Sequence, residues 1–353
     1  MSQPTPLPTT RQAYRRTDDY TPGTPKVRLV TEALPLPLHP TAVLIKVHSV
    51  SLNYRDANIS NGGNPWPVVP HGIPGNDAAG EVVAVGDRVS LVSVGDRVAP
   101  ITDSEYVTAR STGRSWLAAN EDGTLASHLV FDEKLVTRLP SHLDWVQASL
   151  IPCAGTTAWS ALKGVGIGQT VLIQGTGGVS SFALKLARAS ALRVILTSSS
   201  DQKLSSIKTQ LGHPPIQTIN YRTHPNWHTK VLSLTNGVGV DLVVENGGSS
   251  SLVQSMLCTR RGGIVSVVGY LGGPKAEHLK EFVSTIIDRR LNVRGINAGS
   301  KDDQDELMAA IEATQMTFED IIDSTWAFGE AEEAIEFVWR GRQVGKVVVD
   351  LEK

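Results

Sequence analysis

From residue 171 onward the chain alternates short apolar runs with amphipathic segments, and this rhythm limits its possible folds more than any other feature. Apolar runs lie at 171–173, 194–196, 216–219, 242–244, 264–268 and 291–293. Helix-like segments lie between them, at 179–188, 202–211, 227–234, 252–258 and 278–287. Val179, Phe182, Ala183 and Leu186, for example, fall at i, i+3, i+4 and i+7 on one helical face. Short runs that are apolar throughout suit strands covered on both faces by helices. Six of them joined by helices predict an α/β fold with a doubly wound, parallel, six-stranded sheet.

Between the first strand and the first helix stands Gln174-Gly175-Thr176-Gly177-Gly178-Val179-Ser180. Such a glycine turn lets backbone N–H groups close on a pyrophosphate at a helix N-terminus. Alone it is a weak signal, and its third glycine is replaced by Ser180. Its position in the alternation favours a dinucleotide over the S-adenosylmethionine of a methyltransferase fold.

The end of the second strand bears on which dinucleotide binds. A site for NAD usually carries an acidic residue there, on the ribose hydroxyls. This chain reads Thr197-Ser198-Ser199-Ser200-Asp201-Gln202-Lys203. Small hydroxyls and a lysine suit a 2′-phosphate, and Asp201 can open the next helix as a first-turn acid. NADPH is expected over NADH, with Ser198, Ser199 and Lys203 as contacts. The alternative is a polar cap with a solvated lysine.

At 353 residues the chain is long enough for two domains. A net charge of −2 with dispersed arginine pairs gives no case for nucleic acid, and no apolar stretch suits a bilayer. Two cysteines, Cys153 and Cys258, suit a reducing compartment, so the expected location is cytoplasmic. The polar, proline-containing residues 1–19 read as a partly disordered tail. Short runs at 42–50, 80–85, 97–99 and 127–131, separated by turn residues, predict a mostly antiparallel barrel. Residues 84–89 (AVGDRV) recur as 93–98 (SVGDRV), which reads as two hairpin corners. Residues 345–349 read as a last strand returning to that barrel.

Several motifs in order make the chain resemble the medium-chain dehydrogenase/reductase superfamily. They are Leu52-Asn53-Tyr54-Arg55-Asp56, the segment from Pro74 to Gly80, Val94-Gly95-Asp96-Arg97-Val98, the segment from Pro152 to Trp159, the glycine turn, and Ile219-Asn220-Tyr221-Arg222. The chain is most similar to the zinc-lacking, quinone-oxidoreductase-like branch, whose members are often labelled zinc-type alcohol dehydrogenases. The resemblance implies a GroES-like β-barrel catalytic domain (1–152, completed by 297–353) and a Rossmann domain (153–296). It also implies a homodimer.

Zinc-using relatives hold the catalytic metal with a Cys in the first motif, a His in the second and a Cys before the nucleotide domain. Here those positions are Asn53, Asn76 and Cys153, and one thiol does not make a three-ligand site. With two cysteines the four-cysteine structural zinc lobe is missing too. His224 and His228 are four apart, but Pro225 and the lack of further ligands make them ordinary histidines. No metal is expected.

Without a Lewis acid, the negative charge that builds on a substrate oxygen needs hydrogen-bond donors or a cation. In the resembling family Asn53-Tyr54-Arg55-Asp56 lies on the barrel loop facing the nicotinamide. Tyr54 or Arg55 is expected to donate to the oxygen, Asp56 to orient Arg55, and Asn53 to offer an amide N–H. A structural ion pair Arg55–Asp56 and a packed Tyr54 are the plainer alternatives. The resemblance further implies cofactor contacts at Thr157, at Gly175, Thr176, Gly177, Gly178, Val179 and Ser180, at Lys203 and Tyr221, at Asn246 and Gly247, at Gly269 and Tyr270, and at Asn297. The loops 61–70 and 102–123 are candidate substrate walls.

The expected function is zinc-independent, NADPH-dependent hydride transfer to an activated C=C bond of a small molecule such as an enone, quinone or enoyl compound. NADP(H)-dependent alcohol dehydrogenase or carbonyl reductase activity is the alternative. An NADPH-binding interaction protein with vestigial activity is the alternative of another class.

Overall fold

The computed structural model describes residues 7–270 and 276–353. The chain divides into two compact units, Met1–Cys153 with Ser300–Lys353, and Ala154–Gly299.

The first unit begins with an antiparallel ribbon of β1 (Thr10–Arg16) and β2 (Val27–Ala33). Then come β3 (Ala42–Leu52), α1 (Tyr54–Ser60), β4 (Ala79–Val85), β5 (Arg97–Pro100), β6 (His128–Asp132), β7 (Val136–Arg138) and the one-turn α2 (Trp145–Ala148). Rich in β-branched residues, β3 pairs antiparallel with both β4 and β6. Every residue of it except Lys46 is buried, as a central strand requires.

In the second unit, α3 (Thr156–Leu162) precedes β8 (Thr170–Gln174), α4 (Gly178–Ala189), β9 (Arg193–Ser198), α5 (Asp201–Leu211), β10 (Gln217–Asn220) and α6 (Trp227–Leu234). There follow β11 (Val240–Glu245), α7 (Leu252–Cys258), β12 (Thr259–Val267), α8 (Phe282–Arg289) and β13 (Asn292–Gly295). The sheet is parallel in the order β10-β9-β8-β11-β12-β13, with its strand order reversing at β8 and β11. Leu172, Ile195, Val243 and Val265 pack with Trp227 and Met256 in its core. Burying each such aliphatic side chain is worth roughly 1.5–3 kcal/mol.

The chain then returns to the first unit as α9 (Lys301–Thr314), β14 (Ile322–Ala327), α10 (Ala331–Trp339) and β15 (Lys346–Asp350). Ser300 and Asp303 cap α9 reciprocally: Ser300 Oγ accepts the Asp303 N–H at 3.2 Å, and Asp303 Oδ2 accepts the Ser300 N–H at 2.8 Å. Strand β15 pairs antiparallel with β3 and parallel with β14, giving the order β14-β15-β3-β4-β5-β7, with β6 also on β3. Among the described residues no helix is long and apolar enough to cross a membrane.

Three expectations are corrected. The N-terminal segment is not a disordered tail beyond residue 9, because Thr10–Arg16 is a strand; Met1–Pro6 lie outside the described residues. What hid this strand is Arg16, which is fully buried and donates to the carbonyls of Ala118 and Val69 and to Asp18. The helix expected at 278–287 begins later: Ala276–Leu279 is a 3₁₀ turn, and α8 follows at Phe282. Finally, the two Val-Gly-Asp turns do not end separate hairpins. Both lie in the single connection between β4 and β5, where Gly95 has φ +93° and donates to the Val82 carbonyl.

Candidate functional site

The glycine turn leaves β8 at Gln174 and enters α4 at Gly178. Gly175 has φ +84°, which the absence of a side chain permits. Gly177 occupies the N-cap with no side-chain cap, and a Cβ there would meet no atom of the described residues within 4 Å. The first N–H groups of α4 are therefore exposed to an anion. This arrangement fits the pyrophosphate of a dinucleotide.

Ser180 explains how the turn dispenses with a third glycine. Its Oγ donates to the Gln174 carbonyl at 2.6 Å and accepts from Asn246 Nδ2 at 3.2 Å. Asn246 Nδ2 also donates to that carbonyl, at 2.7 Å. The Gln174 side chain accepts the N–H groups of Asn246 and Gly247 at 3.0 and 3.1 Å and donates to buried Glu245 at 2.7 Å. Ser251 and Ser255 and the N–H groups of Gly247 and Gly248 also donate to Glu245. Burial pushes the Glu245 carboxyl up, and these donors oppose the shift. Ser180 and Asn246 thus brace the turn from within.

Backbones meet closely at the ends of β11 and β12. A Cβ on Gly269 would overlap the Asn246 carbonyl, and one on Gly248 (φ +72°) would lie 2.9 Å from Tyr270 Cα. Tyr270 is exposed just beyond β12, and Asn297 is exposed just beyond β13. Thr157 is buried in α3. The glycine turn, Asn246–Gly247, Gly269–Tyr270 and Asn297 therefore follow the carboxyl ends of β8, β11, β12 and β13, the edge where open α/β sheets bind ligands.

At the end of β9 the serines divide their work. Ser200 Oγ accepts the Lys203 N–H at 3.3 Å and caps α5, while Ser198 Oγ accepts the Ser200 N–H at 3.3 Å. Ser199 is half-buried. Exposed Tyr221 donates its backbone N–H to the Ser198 carbonyl at 3.1 Å, which brings it beside the Ser198–Lys203 segment.

The first unit holds a second constellation, at the start of α1. Lys346 Nζ, at the head of β15, donates to Asn53 Oδ1 at 2.6 Å and to Asp77 Oδ2 at 3.2 Å. Asn53 Nδ2 donates to Asn76 Oδ1 and to Asp77 Oδ2, both at 2.8 Å. Asp77 Oδ1 accepts the Cys153 N–H at 2.5 Å. Lys346 and Asp77 are essentially inaccessible to solvent, at 2% and 0% side-chain exposure, so each charge depends on the other. Burial raises the Asp77 carboxyl against the pull of Lys346, and pushes the Cys153 thiol up to about 12. Two carboxamides, a protonated thiol and one carboxylate already held by an ammonium are a poor donor set for zinc. Among the described residues no cluster of three His, Cys, Asp or Glu side chains could hold a metal.

The four expected catalytic residues part company here. Both amide hydrogens of Asn53 are engaged with Asn76 and Asp77, so Asn53 has none left for a substrate. Asp56 does not pair with Arg55. Its Oδ2 accepts the Asn53 N–H at 2.7 Å at the head of α1, its Oδ1 has no hydrogen-bond partner among the described residues, and burial raises its pKa to about 6. Tyr54 turns toward α10, its ring 6.2 Å from that of Trp339. Arg55 turns the other way. Its Nη2 donates to the Leu117 carbonyl, its Nε has no hydrogen-bond partner among the described residues, and its guanidinium lies 5.1 Å from the Trp116 ring centroid.

Sequence reasoning missed Lys346, Asp77, Gln174 and Glu245. For Lys346, Gln174 and Glu245 the available signal was a charged or amide residue at the end of an otherwise apolar strand, where burial demands a partner; Asp77, in the segment before β4, carried no such mark.

Comparison with known proteins assigns stretches of both units to known domains. Residues 39–141 match the alcohol dehydrogenase GroES-like domain, and residues 178–313 match the zinc-binding dehydrogenase domain. A zinc-type alcohol dehydrogenase-like protein of Schizosaccharomyces pombe is 35% identical over 90% of this chain and 93% of its own length. A quinone oxidoreductase of Pseudomonas aeruginosa is 31% identical over 71% of this chain and 72% of its own. The solved structure of a candidate alcohol dehydrogenase from Sinorhizobium meliloti 1021 superposes with a TM-score of 0.86 at 30% identity, covering 98% of this chain and all of that one. With a GroES-like domain, a Rossmann sheet and these relatives, the chain belongs to the medium-chain dehydrogenase/reductase superfamily and is an oxidoreductase.

Proposed function

We propose that the chain is a zinc-independent reductase that takes hydride from NADPH and delivers it to an activated C=C bond of a small organic acceptor. The observation that carries this reading is the buried Lys346 ammonium. It already holds Asn53 and, through Asp77, reaches Cys153, two of the three positions at which zinc-using relatives keep their ligands. Kinship with a quinone oxidoreductase supports an acceptor of this type. The relatives called alcohol dehydrogenases keep carbonyl reduction as the second reading.

A bound dihydronicotinamide supplies the hydride. The uncapped N-terminus of α4 and the turn Gly175–Ser180 would hold its pyrophosphate, and Lys203 with Ser198, Ser199 and Tyr221 its 2′-phosphate. Thr157, Gly269, Tyr270 and Asn297 would line the nicotinamide end, while Asn246 would keep the glycine turn in shape. Arg55 would stabilise the oxygen of the acceptor as charge flows onto it, with Asn53 and Asp56 framing the start of α1. An enone spreads that charge into an enolate, which asks less of one guanidinium than a localised alkoxide does, and a proton from solvent water on the carbon next to the carbonyl would complete the reduction.

The 2′-phosphate assignment is tested by calorimetric titration with NADPH and NADH. NADPH should bind ~10-fold or more tighter, roughly 1.4 kcal/mol, and Lys203→Ala should remove the difference. Equal binding of both cofactors by the unaltered protein would overturn it.

The partner we infer is a second copy of the chain. Strand β13 ends the parallel sheet, and on α8, which packs on β12 and α7, Val283 and Ile287 are 65% and 70% exposed. Sedimentation should show a dimer that Val283→Glu with Ile287→Glu converts to monomer. Two free cysteines suit the cytosol as the compartment.

A further inference from the structure

The loops 61–70 and 102–123 are joined through aromatic rings and guanidinium groups. The Trp66 and Trp116 rings meet edge to face at 5.6 Å. The Arg114 guanidinium lies 4.5 Å from the Trp116 centroid and 5.9 Å from that of Trp66. Arg55 covers Trp116 from α1 at 5.1 Å. Two cations thus gather about one indole pair, and Trp66 remains 37% exposed.

Among the described residues the nearby acids form no ion pair with these cations, although Asp56 feels the charge of Arg55. Asp103 accepts the N–H groups of Glu105 and Ser115, and Glu121 accepts the hydroxyls of Ser104 and Ser115. Neither arginine forms an ion pair among the described residues, and Arg114 donates no hydrogen bond there. A guanidinium stacked on an indole uses its face and keeps its N–H groups, which lie in its plane, free for an oxyanion.

We propose that Trp66, Trp116, Arg55 and Arg114 form an acceptor-selecting wall, and that the acceptor is a flat conjugated molecule bearing a carboxylate remote from the reacting bond. The indoles take its plane, Arg114 takes the carboxylate, and Arg55 remains at the reacting oxygen. This rests on the reductase reading above, and goes beyond it in naming the charge and shape of the substrate.

The test compares cinnamaldehyde with 4-carboxycinnamaldehyde, which share a planar enal and differ by the carboxylate. Their kcat/KM values with NADPH and their binding, followed by tryptophan quenching, are measured for the unaltered protein and for Arg114→Gln. The unaltered protein should favour the carboxylate by ~10-fold or more, the scale of one charge-assisted hydrogen bond, and Arg114→Gln should bring the ratio close to one. Conserved preference in Arg114→Gln, or no preference in the unaltered protein, overturns the wall and leaves the reductase reading standing. Arg114-dependent binding of the carboxylate without turnover of either compound upholds the wall and overturns the reductase reading.

Discussion

Lys346 Nζ lies 2.6 Å from Asn53 Oδ1, so one buried ammonium ties the head of the last strand to the start of α1. Through its second bond, to Asp77 at 3.2 Å, it also pairs with the buried carboxylate that accepts from Asn53 Nδ2. Removing one member of such a pair leaves the other charge buried alone, which typically costs about 3–5 kcal/mol. Lys346→Met should lower the unfolding free energy in urea by that order. Adding Asp77→Asn should recover a substantial part, a coupling that a double-mutant cycle measures directly. Additive losses would mean that the two charges do not depend on each other.

Asp56 gives the protein a pH dependence of definite sign. Burial raises its carboxyl from 3.8 to about 6 in the folded chain. Between those values the folded state binds more protons than the unfolded state, so stability falls as pH rises through the window. A shift of about two units corresponds to about 3 kcal/mol at most. Asp56→Asn keeps an acceptor for the Asn53 N–H, and should be more stable at pH 7 than the unaltered protein. Asp77 and Glu245 are raised as well, so the diagnostic is the difference between the two stability–pH curves. That difference should grow from pH 4 to pH 6.5 and then level off.

Two glycines on the carboxyl edge of the parallel sheet should respond differently to alanine. At Gly269 a Cβ overlaps the Asn246 carbonyl, so Gly269→Ala forces backbone movement and should destabilise the fold by about 1–3 kcal/mol. At Gly177 a Cβ meets nothing within 4 Å. Gly177→Ala should therefore keep its melting temperature and lose affinity for NADPH in a titration. Unchanged affinity would remove the α4 N-terminus from the cofactor site.

Much of this architecture was legible in the sequence because the parallel strands are apolar along their whole length. Val171, Leu172 and Ile173 needed no tertiary information to be read as a buried strand, and the turn that follows was read with them. What stayed hidden were elements whose burial rests on charge. Thr10–Arg16 looks like a polar tail until Arg16 is seen saturated by carbonyls. Lys346 stands 293 residues from Asn53 and 269 from Asp77, and no local pattern carries those pairings. Likewise, the motif Asn53-Tyr54-Arg55-Asp56 announced itself as a unit, but helical geometry sends successive side chains in different directions.

That divergence separates the two expected donors experimentally. Tyr54→Phe should leave kcat unchanged, since the ring packs near Trp339. Arg55→Ala should lower kcat by about 10²–10³, the scale for losing one oxyanion donor, with cofactor affinity retained. The reverse pattern in steady-state kinetics would move the donor role to Tyr54.

The most direct test of the account is turnover after exhaustive chelation, with NADPH oxidation by an enone and zinc content measured on the same sample. The arrangement of Lys346, Asn53, Asp77 and Cys153 predicts undiminished turnover with zinc far below one equivalent per chain. Turnover that disappears on chelation and returns with stoichiometric zinc would contradict it.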